Sequence, residues 1–166
     1  MQLAYIQFDK VTVNVDKNYT TAIWNISNTP DKQAGIFNYE VTFHQTIIKE
    51  QQRIKLSSME GPSDRNYSHV VLSTYLDSCK VAQGVIPNFI GRIIFNDVNK
   101  KINVVYACPF VKDIKRRMNS TVTDALLPPI PYEHKFRFED NFYGIVNKKK
   151  GWVYLYGVKL YARVKK

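Results

Sequence analysis

The chain has 166 residues, enough for one well-filled hydrophobic core but not for two, so the sequence predicts a single domain over residues 1–166. Hydrophobic residues make up 45% of it, with eleven Tyr and nine Phe, which excludes intrinsic disorder and favours pleated sheets. No run approaches the roughly 18 apolar residues of a membrane-spanning helix. The net charge of +10 attracts anionic groups, unless the basic clusters are simply solvated surface.

The first half of the chain alternates between apolar and polar residues, as half-buried strands do. A hairpin is predicted from strands at about 8–15 and 20–26. The clearest strand follows, with aromatic and branched residues on one face and polar residues on the other. Its apolar face consists of Phe37, Tyr39, Val41 and Phe43. Two weaker strands are predicted at 53–57 and 68–76.

The periodicity changes after Asp77, where apolar residues begin to recur at helical spacing. This predicts one short amphipathic helix from about Asn88 to Lys100. Its apolar face contains Phe89, Ile90, Ile93, Ile94 and Val98. Three prolines within residues 126–131 exclude a central strand there and indicate a stiff apolar connector.

The last third of the chain returns to strand-like alternation. Phe136 and Phe138 mark one strand, which a turn at Asp140 and Asn141 is expected to end. A long final strand follows residue 151, and its apolar face is listed here in order: Trp152, Tyr154, Tyr156, Val158, Leu160, Ala162 and Val164. Seven or so short strands predict a mainly β, antiparallel sandwich with one short helix.

Catalytic and metal-binding patterns are absent from the sequence. His44, His69 and His134 stand alone, without a Cys, Asp or second His at metal-ligand spacing. The adjacent Glu139 and Asp140 form a carboxylate pair, but a turn with nearby basic residues explains them without catalysis. We therefore expect no catalytic residue, no metal and no cofactor, and a protein that is not an enzyme.

Basic and aromatic residues are interleaved around Lys159, Tyr161 and Arg163, a pattern that can stack and neutralise single-stranded nucleic acid. Ordinary alternation along a sandwich strand gives the same pattern. The sequence has no recognition helix, RNP-like segment or zinc finger, so we expect no nucleic-acid partner.

Four N-x-S/T sequons point to a secretory history, because chance alone gives about one or two in a chain of this composition. They begin at Asn18, Asn25, Asn66 and Asn119, the predicted glycosylation sites. The residues after Met1 do not resemble a signal peptide. Cys79 and Cys108 form either one bridge or two free thiols, and the oxidising secretory compartment favours the bridge.

Several segments together resemble a known family: Asp77-Ser-Cys79-Lys80, the amphipathic helix, Cys108-Pro109 and Leu127-Pro-Pro-Ile-Pro131. Their order is similar to that in the insect CheB chemosensory proteins. These are relatives of the ganglioside-activator and myeloid-differentiation-factor-related lipid-recognition (ML) group. The match covers residues 77–131, and no cysteine precedes Cys79, where many members have additional ones.

The resemblance implies an immunoglobulin-like sandwich whose sheets part around an apolar cavity for a lipid or another hydrophobic ligand. We expect the aromatic strand faces to meet across the sandwich, with the helix beside them. The predicted ligand-binding residues are Phe37, Tyr39, Val41, Phe43, Phe89, Ile90, Ile93, Phe136, Phe138, Trp152, Tyr154 and Tyr156. A Cys79–Cys108 disulfide is expected to tie the strand before the helix to the segment after it.

The leading functional hypothesis is a secreted, monomeric carrier of a hydrophobic small molecule or lipid, with a chemosensory or pheromone-related role implied by the resemblance. The alternative is an interaction module with a filled core, which engages an acidic receptor or glycan through its basic surface. A lipid-active enzyme comes third.

Overall fold

The computed structural model describes residues 5–59, 65–86, 92, 95–96, 100–122 and 134–165. These residues form strands that lie almost entirely where apolar and polar side chains alternate. The elements with defined bounds are β1 (Tyr5–Val15), β2 (Thr20–Asn28), β3 (Gly35–Phe43), β4 (Lys49–Ser58), β5 (His69–Asp77), α1 (Ser78–Ala82), β6 (Arg116–Val122), β7 (His134–Ile145) and β8 (Trp152–Lys165).

The strands form two antiparallel sheets. The larger has the order β1-β8-β7-β4-β5, and the smaller has the order β2-β3-β6. Their inner faces pack together, with the rings of Phe43 and Tyr156 6.4 Å apart. At Gly35 the sheets approach so closely that a Cβ atom would lie 2.7 Å from the ring of Phe8. The predicted mainly β, antiparallel, immunoglobulin-like sandwich with a short helix is confirmed.

The helix α1 begins directly where β5 ends. The Asp77 carboxylate caps it by accepting hydrogen bonds from the backbone N–H groups of Cys79 and Lys80, each 3.0 Å long. Cys79 is bonded to Cys108, which confirms the predicted disulfide, although Cys79 lies in α1 rather than in a strand.

Part of the longer helix predicted from the sequence lies in the described segments. Arg92, Phe95, Asn96, Lys100 and Lys101 are helical, and Phe95 packs against buried residues of the sandwich. The other members of the predicted apolar face, Phe89, Ile90, Ile93, Ile94 and Val98, lie outside the described residues, as does the connector 126–131.

A β-bulge in β8 reverses the face of its first residues. In the pairing with β7, Tyr156 lies opposite Phe142, and Tyr154 lies opposite the next residue, Tyr143. Leu155 therefore has no partner on β7 and is an extra residue of β8. Leu155 is 0% exposed and Trp152 is 50% exposed. The prediction that Trp152 and Tyr154 share the inner face with Tyr156 is therefore wrong, because strict alternation does not survive an inserted residue.

The turn predicted at Asp140 and Asn141 is also wrong. Both residues lie within the continuous strand β7, where they pair with Ile54 and Arg53 of β4. Asp140 is buried between the sheets, whereas Glu139 points to the outer face and lies 3.4 Å from Arg137. The two carboxylates thus lie on opposite faces of one strand and do not act as a pair.

Candidate binding site between the two sheets

The inner face of the smaller sheet carries a stack of three aromatic rings. Trp24 lies directly opposite Tyr39 in the pairing of β2 and β3, and their ring centres are 4.9 Å apart. Phe37 also stacks with Trp24, at 5.4 Å, and its ring centre lies 6.4 Å from that of Tyr39. All three side chains are only half-buried although they face the opposite sheet. The indole Nε1 of Trp24 is itself buried and has no hydrogen-bond partner.

The opposite wall is apolar and also incompletely covered. Phe136, Leu160 and Ala162 are half-buried, and they pack with Phe37 against the same buried cluster of Ile6, Phe8 and Val164. The predicted site residues Phe37 and Phe136 therefore pack against one and the same buried cluster. Phe138 belongs instead to the group around Ile54, Leu76 and Val81.

The sandwich is tightly filled at its other end. Val41, Phe43 and Tyr156 are buried there with Ile47, Phe110, Phe142 and Leu155. Phe142 and Tyr156 stack with their ring centres 4.2 Å apart. Of the predicted site residues, Val41, Phe43 and Tyr156 meet across the sheets in this core, and Tyr39 packs at its border. Trp152 and Tyr154 lie on the outer face, where Tyr154 contacts Tyr143 and Asn14.

Buried polar side chains border this core, and the sequence analysis did not predict them. Glu50, Gln52 and Asp140 come from the larger sheet, and Ser78 comes from α1. Gln52 Nε2 donates a 3.0 Å hydrogen bond to Ser78 Oγ. Burial raises the pKa of Glu50 to about 7, against smaller lowering effects of Ser78 and Arg116. Burial and the neighbouring Glu50 raise the pKa of Asp140 well above its usual range.

Arg116 supplies the positive charge of this region. It is 7% exposed, and its Cζ atom lies 5.2 Å from the ring centre of Phe43 and 4.7 Å from that of Phe110. Its Nε and Nη1 atoms are buried and have no hydrogen-bond partner. Burial lowers the pKa of the guanidinium, while Glu50 raises it. The strand pattern of β6 contains a signal for this position, because Arg116 shares its face with the buried Met118 and not with the exposed Arg117.

Tyrosine hydroxyls complete the polar border. Burial, with a further effect of Glu50, raises the pKa of Tyr39, Tyr106 and Tyr156, so all three remain neutral donors at physiological pH. Within the described segments, no group of three or more His, Cys, Asp or Glu side chains is placed to hold a metal ion. The tyrosine hydroxyls and the buried cation of Arg116 can therefore hold and orient a ligand.

The predicted histidines and sequons lie at the surface. His44 and His69 are exposed, and His134 is half-buried. Each of the four sequon asparagines, Asn18, Asn25, Asn66 and Asn119, is exposed, as glycan transfer requires. Their glycosylation stays a prediction. None of the helices in the described segments is long and apolar enough to cross a membrane.

The chain was compared with known proteins by sequence and by structure. No protein-family model matches the chain, and no curated protein matches it either. Among solved structures, the chain is similar to a Niemann-Pick type C2 protein from the Japanese carpenter ant, with 12% sequence identity and a TM-score of 0.30. The alignment covers 96% of this chain and 91% of that chain. A likeness at this level assigns neither a family nor a function, so the resemblance to CheB proteins stays a prediction.

Proposed function

We propose that this chain is a secreted, single-domain carrier that holds a hydrophobic small molecule or lipid between its two sheets without chemically changing it. The observation that carries the proposal is the half-buried stack of Trp24, Phe37 and Tyr39 on an inner face. In a sandwich that serves only as a scaffold, inner-face aromatic rings pack to the density of an organic crystal. Rings that face inward and yet remain accessible are available to an apolar guest.

The facing wall supports the same conclusion. Phe136 and Leu160 leave part of their apolar surface uncovered opposite Phe37, whereas Phe43 and Tyr156 at the other end are buried. Burying apolar surface contributes roughly 25 cal/mol per Å², so a ligand that covers these rings gains affinity from contacts that the protein does not make with itself. The polar groups at the border of the filled core, where Tyr39 packs, can orient such a guest.

Secretion is supported by two features of the described residues. Disulfides such as Cys79–Cys108 form and persist mainly in oxidising compartments, and the sequon asparagines are accessible to glycan transfer. The sequence resemblance to the CheB and ML proteins implies the same compartment and an apolar ligand. It also extends the proposal to a chemosensory or pheromone-related role, and we expect the carrier to act as a monomer.

Tryptophan fluorescence offers a direct test, because the chain contains only Trp24 and Trp152. Trp152 is half exposed on the outer face, so a Trp152→Phe variant leaves Trp24 as the single reporter. Titration of that variant with a bromine-labelled alkyl chain should quench Trp24 emission to saturation. A Trp24→Phe variant, which keeps Trp152, serves as the matched control and should show little quenching.

Uptake of an unlabelled ligand is tested separately. Protein secreted from eukaryotic cells should carry a co-purifying apolar molecule in native mass spectrometry, and Phe37→Ala should reduce uptake of a fluorescent apolar probe. The control is Ile23→Ala, since Ile23 is 52% exposed on the outer face of β2 beside Trp24. Absence of both quenching and uptake would refute the carrier proposal.

The alternative function, an interaction module, is favoured by a row of side chains on the outer face of the larger sheet. The Arg53 guanidinium lies 5.1 Å from the ring centre of Tyr75 and 4.8 Å from that of Tyr143, and Tyr75 is 56% exposed. Aromatic rings beside a cation suit an acidic receptor or an anionic glycan. Two results together would favour this function. The native chain should bind a sulfated glycan array in a salt-dependent way and take up no apolar probe, and Arg53→Gln should lose the array binding.

A further inference from the structure

We propose that Arg116 binds the carboxylate of an amphiphilic ligand, a long-chain fatty acid, whose alkyl chain lies along the inner face of the smaller sheet towards Trp24 and Phe37. This inference rests on the proposed carrier function and specifies its ligand class. It starts from the buried, unpaired N–H groups of Arg116.

A buried guanidinium whose Nε and Nη1 atoms have no hydrogen-bond partner needs an explanation, because desolvating a charge is expensive unless a counter-charge and hydrogen bonds replace water. The ion pairs of the described residues lie elsewhere, at Glu40, Glu139 and Asp9. Arg116 instead packs against two aromatic rings. Those rings attract the positive charge but offer no lone pair to Nε or Nη1. The missing partner is an oxygen acceptor, and a planar carboxylate matches the guanidinium geometry.

The neighbouring groups favour a monoanion over a phosphate. Glu50 and Asp140 face the same region, so a dianion there would meet two acidic side chains with only one cation to offset it. A single carboxylate balances the charge of Arg116 where Glu50 is protonated, which is the case below about pH 7. The Oδ1 atom of Asp140 is also buried without a hydrogen-bond partner, which adds to the polarity of this end of the interior.

The pairing of β6 and β3 places the alkyl chain. Arg116 lies opposite Val41, and the next inward positions towards the half-buried end pair Met118 with Tyr39 and then residue 120 with Phe37. Four residues of a strand advance about 13 Å, so the path from the guanidinium to Phe37 covers the part of an extended long alkyl chain nearest its carboxylate. Along it the inner face changes from buried polar groups to half-buried aromatic rings, as an amphiphile requires.

The test compares a fluorescent polyunsaturated fatty acid with its own methyl ester, which keeps the chain and removes the charge. The native protein should bind the acid more tightly than the ester by on the order of tenfold to a hundredfold, the range of one hydrogen bond to a charged group. In Arg116→Gln that preference should disappear while ester binding is retained. The matched control is Arg117→Gln, because Arg117 is the next residue of β6 but lies on the exposed face, bonded to Glu40.

The outcomes separate this inference from the function on which it rests. If neither acid nor ester binds the native protein, the carrier function itself fails. Equal binding of acid and ester by the native protein would agree with the carrier function but overturn the role of Arg116. This measurement does not depend on whether Arg116→Gln folds. Tighter binding of a monoalkyl phosphate than of the acid would overturn the carboxylate assignment. An equal loss of preference in Arg117→Gln would trace the preference to general surface charge and also overturn it.

Discussion

The Cζ atom of Arg116 lies 4.7 Å from the ring centre of Phe110, inside a core that offers its Nε and Nη1 atoms no acceptor. Replacing this cation by Met keeps the packing on the ring and removes a poorly compensated charge. We therefore expect Arg116→Met, without ligand at pH 6, to have a free energy of unfolding equal to the native value or up to about 2 kcal/mol higher. Urea unfolding measures it. A loss of about 3 kcal/mol or more would mean that Arg116 holds the fold through a partner.

The pH dependence of stability should be dominated by buried carboxyl groups. Burial raises the pKa of Glu50 from 4.5 to about 7, so the folded state binds its proton more tightly than the unfolded state. Its contribution is full below pH 4.5, falls as the pH rises and is lost above about pH 7, with a total of about 3 kcal/mol. Glu50→Gln should flatten the curve of unfolding free energy between pH 5 and 7. Glu40→Gln should not, since Lys115 lowers the pKa of the half-buried Glu40.

Ligand binding should weaken as the pH rises through 7. Glu50 then becomes negative near Arg116 and competes with the ligand carboxylate for the guanidinium. Asp140 faces the same region, and burial raises its pKa as well. The other groups facing Arg116 are Tyr39, Tyr106 and Tyr156, which stay neutral in this range. We expect the dissociation constant of the fluorescent acid to increase between pH 6 and pH 8.

The same titration with the methyl ester provides the control. The ester is uncharged, so ionisation of Glu50 should not weaken its binding. Glu50→Gln should reduce the dependence of acid binding on pH. An unchanged dissociation constant for the acid between pH 6 and pH 8 in the native protein would contradict the competition.

The bulge in β8 makes Leu155 more important for stability than the larger Trp152. Leu155→Ala removes a fully buried side chain and should lower the free energy of unfolding by roughly 2–5 kcal/mol, whereas Trp152→Ala should change it by less than about 1 kcal/mol. Chemical denaturation of both variants measures the difference. Strict alternation along the sequence predicts the opposite order, so a larger loss in Trp152→Ala would show that the bulge is misplaced.

The disulfide should contribute through the loop of 29 residues that it closes. Replacing Cys79 and Cys108 together by Ser should lower the free energy of unfolding by about 3 to 4 kcal/mol, since the unfolded chain regains the entropy of the open loop. Urea unfolding of the double variant measures this value, and the native protein under reducing conditions should match it. An unchanged midpoint would mean that packing alone holds α1 against β4 and β5.

Alternation of side chains predicted the strands and the sandwich but not the strand pairing. The predicted hairpin of strands 8–15 and 20–26 is wrong, because β1 pairs with β8 whereas β2 pairs with β3 in the other sheet. The faces of β3 and the later half of β8 follow a period of two, so the buried Val41, Phe43 and Val158 lie where the sequence placed them. The disulfide followed from the cysteine count and the inferred compartment. These features depend on local patterns that a single sequence contains.

The polar part of the candidate site could not be predicted in this way. Glu50, Asp140 and Arg116 come from three different strands, and only the pairing of those strands brings them into one region. Charged residues are rarely buried, so nothing in the sequence alone favours an interior position for these three. The bulge at Leu155 could not be predicted for another reason. The sequence around it still alternates between aromatic and other residues, as in a regular strand.

The pairing of β1 with β8 sets the order in which the larger sheet can be completed. Tyr5 pairs with Lys165, and β8 separates β1 from every other strand of that sheet. During synthesis, β1 therefore has no neighbour in its own sheet until residues 152–165 have left the ribosome. Until then its apolar residues Ile6 and Phe8 have cover only from the smaller sheet, and a chaperone that binds the nascent chain is suited to protect the rest.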